Sequence, residues 1–289
     1  MADEKKQEQS ATRFDDNLFT MMNKSNKDKS NLICSPFSVL NAMAIAAVGA
    51  KENTLKQMVA VLFPEAQGDD STELITKSAS QLTTLCASYN KQYDGKKKQP
   101  LITAANKLFV QKNFPILESF IKASGVDAVE SFEQSQAEQA AKTVNDWVAK
   151  ITQNMIKELV NAMIMAGADL VIANAIYFHA QFKIAFNEKK TRENVEFYTN
   201  RTRKNALCKV TMMNNKERYP CARLAGGWTL VKLQYGDTPL SLVLAMEYKD
   251  ESTPLSVADI FAAKWEENKI NLFVPKFKYE YQVELNAVL

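Results

Sequence analysis

Apolar residues recur along this chain with two periods, and the change from one to the other marks out its elements. Ala11 to Asn23 carries Phe14, Leu18 and Met21 or Met22 at helical spacing, and a polar turn, Lys24 to Ser30, follows. Asn31 to Leu62 then reads as a short strand, a buried helix, a break and a second helix. Ser35 can cap the exposed amides of the first turn, Pro36 suits the first helical position, and Gly49 can take the left-handed conformation that ends the helix. Ser38 and Asn41 are the polar interruptions in a run that is otherwise apolar all round to Val48, so this helix belongs inside a core. It is too short to cross a bilayer. Thr72 to Ser88 returns to the helical period through Leu74, Ile75, Leu82 and Leu85. Ala137 to Ile151 puts Ala140, Val144, Trp147, Val148 and Ile151 on one face, where Trp147 is expected to pack in the core.

Other stretches have the marks of strands. Leu101 to Val110 is one, and Pro115 after it opens a helix through Phe120 and Ile121. Leu170 to Phe178 is a near-continuous apolar run broken by Asn174, as expected of a strand buried on both faces. A buried amide there must find partners, because leaving it unpaired costs about 1–3 kcal/mol. Trp228 to Tyr235 and Leu240 to Met246 are strands joined by Gly236-Asp237-Thr238-Pro239. Ser256 with Asp259 starts a helix toward Trp265, and Asn268 to Val274 is a strand stopped by Pro275. Finally Phe277, Tyr279, Tyr281, Val283 and Leu285 alternate with Lys278, Glu280, Gln282 and Glu284, which predicts a one-faced strand. The pattern is a mixed α+β chain.

A length of 289 residues allows a sizeable core, and the absence of repeats and of Pro/Gly-rich linkers favours one domain. A formal net charge of +3, with acids and bases nearly balanced, argues against a dedicated nucleic-acid binder. Met1 to Ser10 is polar and charged, without the apolar core of a secretory signal, and no stretch reads as a membrane span. If Met1 is the native start the protein is expected in the cytoplasm; if a signal was removed it is extracellular. Four unclustered cysteines, Cys34, Cys86, Cys208 and Cys221, fit a reducing compartment, with Cys34 acting as a small buried hydrophobe. Two glycosylation triplets, Asn23-Lys24-Ser25 and Asn200-Arg201-Thr202, point the other way.

Catalytic chemistry has little to work with. The one histidine, His179, would have to serve any Ser-His-Asp or Cys-His mechanism, and it stands at the end of an apolar strand, where a packed or partly exposed side chain is the plainer reading. No cluster has metal-ligand spacing, and neither a Walker loop nor a Gly-x-Gly-x-x-Gly turn occurs. The chain reads as a non-enzyme without a cofactor.

The stretch Ile33-Cys34-Ser35-Pro36-Phe37-Ser38-Val39, followed by a helix of small residues, Gly49-Ala50 and an amphipathic helix, resembles the serpin family. The resemblance continues through Leu101 to Val110, Val144 to Ile156, Leu170 to Phe186, Val210 to Asn214, Trp228 to Met246 and Leu272 to Leu285. The order and spacing of these stretches are jointly specific. The resemblance implies an α+β serpin fold with a large central sheet, smaller sheets and eight or nine helices, lacking the C-terminal strands. It implies a suicide-substrate inhibitor of serine, or cysteine, endopeptidases. The protease attacks a reactive loop, an acyl-enzyme forms, and the loop enters the main sheet as an extra strand. Asn174 would meet Ser35 and Ser38 in a shutter-like polar cluster that controls sheet opening; the alternative is a satisfied core amide and a simple cap.

Two positions depart from the family pattern. Phe182 stands where a tryptophan normally tops the strand, keeping an aromatic filler and losing the indole donor. Asn154 replaces a glycine after Thr152-Gln153, and asparagine is the next best residue for a left-handed turn. Lys91, Lys96, Lys97 and Lys98 correspond to a region that binds heparin in some serpins, so a polyanion partner is a candidate beside the plainer reading of solvated lysines. The sequence stops at Asn286-Ala287-Val288-Leu289 as though inside the first turn of a helix. On the resemblance, the reactive loop would follow that point. A non-inhibitory serpin, or a shortened product with a binding or chaperone-like role, is the alternative function.

Overall fold

Buried stripes and caps set the helices of this computed structural model, which describes residues 2–26, 31–63, 73, 75–77, 79, 84, 101–198, 206–248, 253–283 and 285. They fall into two compact units, one holding the described residues within 2–26 and 33–179, the other those within 31–32 and 180–285. The chain is mixed α+β in both pattern and structure.

In the first unit, helix α1 (Ala2–Ser25) buries Phe14, Leu18 and Met22 at successive turns, while Met21 stays exposed. Helix α2 (Pro36–Gly49) starts at Ser35, whose backbone is extended and whose Oγ accepts from the Ser38 amide at 3.3 Å. The short strand expected before it does not form. Residues 31–35 carry no strand, because no neighbouring strand among the described residues offers them a ladder. Gly49 is not left-handed either. It remains within the helix, and its missing side chain makes room for Phe120: a Cβ there would lie 3.1 Å from Phe120 Cε2. Helix α3 is Glu52–Leu62. Ile75 and Ala79 are helical and buried, whereas Leu74, Leu82 and Leu85 lie outside the described residues.

Strand β1 (Leu101–Gln111) is the middle of a three-stranded sheet, and helix α4 (Glu118–Ser124) begins shortly after Pro115. Strand β2 (Ala128–Phe132) pairs with β1 in parallel, and β3 (Leu170–His179) pairs with it antiparallel. Alternation splits the β1 and β3 side chains between two faces. Leu108, Val110, Leu170 and Ile172 meet Ala44 and Ile45 of α2. Phe109, Val171 and Ala173 meet helices α5 (Ala137–Ile151) and α6 (Ala162–Gly167) through Val144 and Met165. The bounds of α5 coincide with the sequence expectation, and Trp147 packs edge-on to Phe109 with ring centroids 6.0 Å apart. After α5, both Gln153 (φ 53°) and Asn154 (φ 62°) are left-handed.

The second unit is a five-stranded sheet of β4 (Arg192–Phe197), β5 (Cys208–Leu224), β6 (Trp228–Gln234), β7 (Ser241–Glu247) and β8 (Glu266–Pro275). Strand β5 runs for 17 residues, pairing with β4 and β8 along most of its length and with β6 at its end. Helix α7 (Val257–Ala262) carries the expected capping box between Ser256 and Asp259 and stops before Trp265. Of the strand expected over residues 277–285, the described residues 277–283 and 285 carry none. After the Lys276 amide donates to the Thr211 carbonyl at 2.8 Å the ladder ends, and Phe277 is 64% exposed. An alternating ribbon needs a neighbour both for its amides and for its apolar face, and among the described residues none lies alongside.

Candidate functional site

The most unusual chemistry of the first unit is in the middle of its sheet. Asn106 of β1 and Asn174 of β3 stand directly opposite each other, on the face that α2 covers. Asn174 Nδ2 donates to Asn106 Oδ1 at 2.8 Å. Asn106 is fully buried, yet its Nδ2 and the Oδ1 of Asn174 have no hydrogen-bond partner. Each such group costs about 1–3 kcal/mol. One hydrogen bond therefore holds a pair that retains a spare donor and a spare acceptor. The backbone around it is firmly held: the Asn106 amide donates to Asp127 Oδ2 at 2.7 Å, and the Asp127 amide donates to the Asn106 carbonyl at 3.0 Å.

Ser35 and Ser38 are joined to each other, Ser35 Oγ donating to Ser38 Oγ at 3.0 Å. Among the described residues no hydrogen bond links them to Asn174, whose partner is Asn106. Sequence reading had singled out Asn174 and passed over Asn106. The available signal was the same for both, a lone amide interrupting an apolar run in each of two strands.

Strand β3 has β1 on one side and, among the described residues, no strand on the other. In an antiparallel pair half of a strand's backbone groups point away from its partner, and among the described residues no strand takes up those on the far edge of β3. The segment leading into β3 is tied to α5. Asn145 Nδ2 donates to the Val160 carbonyl at 2.8 Å, and its Oδ1 accepts from the amides of Leu159 (2.8 Å) and Val160 (3.1 Å). Thr152 Oγ1 donates to the Val148 carbonyl at 2.8 Å and accepts from the Ile156 amide at 3.1 Å. Val160 and Met165 are thereby held in the cluster that includes Ala173.

The remaining candidates are dispersed. His179 is exposed at the end of β3. Phe182 belongs to the second unit, where it stacks on Tyr235 with centroids 5.0 Å apart and meets Phe186 edge-on at 6.1 Å. Lys91, Lys96, Lys97 and Lys98 lie outside the described residues. Burial, reinforced by Asp15, pushes the half-buried Cys34 thiol up, which lowers its thiolate fraction. Burial first, and the Asp16 charge second, push Asp15 up to about 6. Among the described residues no group of His, Cys, Asp and Glu could hold a metal, and no helix is long and apolar enough to cross a membrane.

Comparison with known proteins adds an independent line. The family description Serpin (serine protease inhibitor) matches residues 9–289. Human Serpin B3 is 28% identical over 96% of this chain and 75% of its own length. The leukocyte elastase inhibitor of Sus scrofa is 27% identical over 96% of this chain and 74% of its own length. A solved structure titled "Cleaved Serpin 42Da" superposes with a TM-score of 0.81 at 27% identity, covering 96% of this chain and 74% of that one.

Proposed function

The chain belongs to the serpin family, and from that premise we propose that it is an inhibitor of serine, or cysteine, endopeptidases that works by accepting a strand beside β3. The family is one of protease inhibitors rather than enzymes, and a similar protein is named for its inhibition of leukocyte elastase. The observation that carries the reading is the far edge of β3, a ten-residue strand anchored to β1 on one side and with no strand on the other among the described residues. An inserted strand gains main-chain hydrogen bonds along that edge without disturbing the β1–β3 ladder.

In this mechanism the catalytic serine or cysteine of the protease attacks the carbonyl of a reactive-loop peptide bond. The bond to the departing amine breaks, and the loop's acyl end stays covalently attached to the protease. Insertion of the loop then drags the protease with it and distorts its active site. The protein's own part is to make insertion downhill. Asn106 and Asn174, with Ser35 and Ser38 on the cap of the overlying helix, form the proposed shutter. Its spare donor and acceptor leave the unopened sheet with an unmet cost that rearrangement relieves. Asn145 holds the segment ahead of β3 in place until the sheet opens. The two units function as one serpin domain in this reading.

The test is incubation of the protein from its natural source with a panel of trypsin-like, elastase-like and papain-like proteases. A covalent complex that survives detergent is expected with at least one of them. Cleavage throughout the panel without a complex would overturn the inhibitor reading.

A further inference from the structure

The second unit contains a cleft that the inhibitor reading does not use. It has a volume of about 490 Å³ and is bordered by the segment after Gln181, by β5, β6 and β8, and by the turn that ends at Pro239. Its apolar lining comes from the partly buried Phe182 and Ile184, backed by the buried Tyr219 and Leu233 of the same packed cluster. Its rim is charged and unbalanced, with Lys183, Arg218 and Lys232 set against the single carboxylate of Glu267.

The arrangement of those cations is costly for the empty protein. Arg218 of β5 stands directly opposite Lys269 of β8 in the antiparallel ladder. Like charges facing each other across a strand pair destabilise it. Among the described residues neither has an ion-pair partner. Lys183 does have one, Asp237 at 2.9 Å, but both groups are exposed, so the pairing does little to neutralise it. Lys232 is held with its Nζ 4.0 Å from the centre of the Trp265 ring, which fixes an ammonium group at the rim without cancelling its charge. A fixed cation, an unpaired guanidinium and an apolar floor together specify a ligand with an anionic end and a flat apolar body.

We propose that this cleft binds an aromatic carboxylate, its ring against Phe182 and Ile184, and its carboxylate between Arg218 and Lys232. Arg218 supplies the planar fork that suits a carboxylate, and bound anion relieves the repulsion between Arg218 and Lys269. Glu267 opposes the ligand's charge and sets the upper limit on affinity. The site lies within the second unit, and its existence does not depend on inhibitory activity.

The test is isothermal titration of the full chain with naphthoate and, in parallel, with naphthamide, which has the same ring system but no charge. Saturable one-to-one binding of naphthoate is expected, with naphthamide at least about tenfold weaker, the worth of one charge-assisted hydrogen bond. Arg218→Gln should weaken naphthoate by a similar factor, Glu267→Gln should tighten it, and Lys122→Gln in the first unit should leave it unchanged. Unfolding curves matching the parent protein's would show that the variants are folded. Absence of saturable binding, equal affinity for acid and amide, or full affinity in the Arg218→Gln/Lys232→Gln double variant would each overturn the proposal.

Discussion

Residues 170–179 and 277–285 are both apolar ribbons, and by alternation alone the second is the better strand. Only the first is one. Leu170–His179 has β1 along ten register pairs and helices packed on both faces, so the backbone groups that face β1 and the apolar side chains are satisfied together. Phe277 and Tyr279 touch each other, with centroids 5.8 Å apart, and among the described residues have no strand beside them. Strand character is therefore a property of a pair, and a two-residue period in the sequence states only which face would be buried if a partner came. The same comparison explains the open side of β3: a strand secured on one edge can persist with the other edge free.

The largest effect that can sharpen this contrast is a cavity beneath β3. Phe109→Ala, deep in the cluster that α5 covers, should cost about 3–5 kcal/mol in urea unfolding, while Phe277→Ala should stay within about 0.5 kcal/mol. Comparable losses at the two positions would mean that the second ribbon is packed after all. Next comes the amide pair. Asn174→Ala removes the one hydrogen bond between the two side chains and leaves the Asn106 side chain unpaired, so stability should fall by about 1–3 kcal/mol. An unchanged melting curve would show that the pair has no energetic role.

Asn145→Ala deletes three hydrogen bonds to the segment ahead of β3, and the Leu159 and Val160 amides should exchange faster while those in the middle of β1 remain protected. Uniform acceleration would instead indicate global destabilisation. The smallest effect is that of Asp15. Its carboxyl titrates at about 6 in the folded chain, above the ordinary 3.8, so the folded state holds the proton more tightly. The associated stability is fully present below pH 3.8 and is lost as pH rises through about 6. The partial exposure of this side chain keeps the loss modest. Asp15→Asn should flatten that part of the profile and raise stability at neutral pH.

Local signals were readable and long-range ones were not. The α5 bounds, the Ser256–Asp259 capping box and the strand at Leu170 could be read because stripe, cap and apolar run each lie within a few residues. Strand β2 escaped notice because Ala128–Phe132 is short and interrupted by Glu130 and Ser131. Most of β5 was hidden because Asn214 to Arg218 breaks the apolar alternation with polar residues that the sheet tolerates at its surface. Gly49 was misread for a related reason, since Phe120, the residue that requires it to be small, is remote in sequence. At the candidate site, Asn174 could be found from its own strand, whereas the roles of Asn106 and Asn145 depend on partners that only folding brings near.

Hydrogen exchange along residues 170–179, measured before and after reaction with a cleaving endopeptidase, tests the central claim most directly. The account predicts that amides on the far edge of β3 exchange readily in the starting protein and become strongly protected once a strand has been added beside them. Cleavage that leaves exchange in β3 unchanged would contradict it.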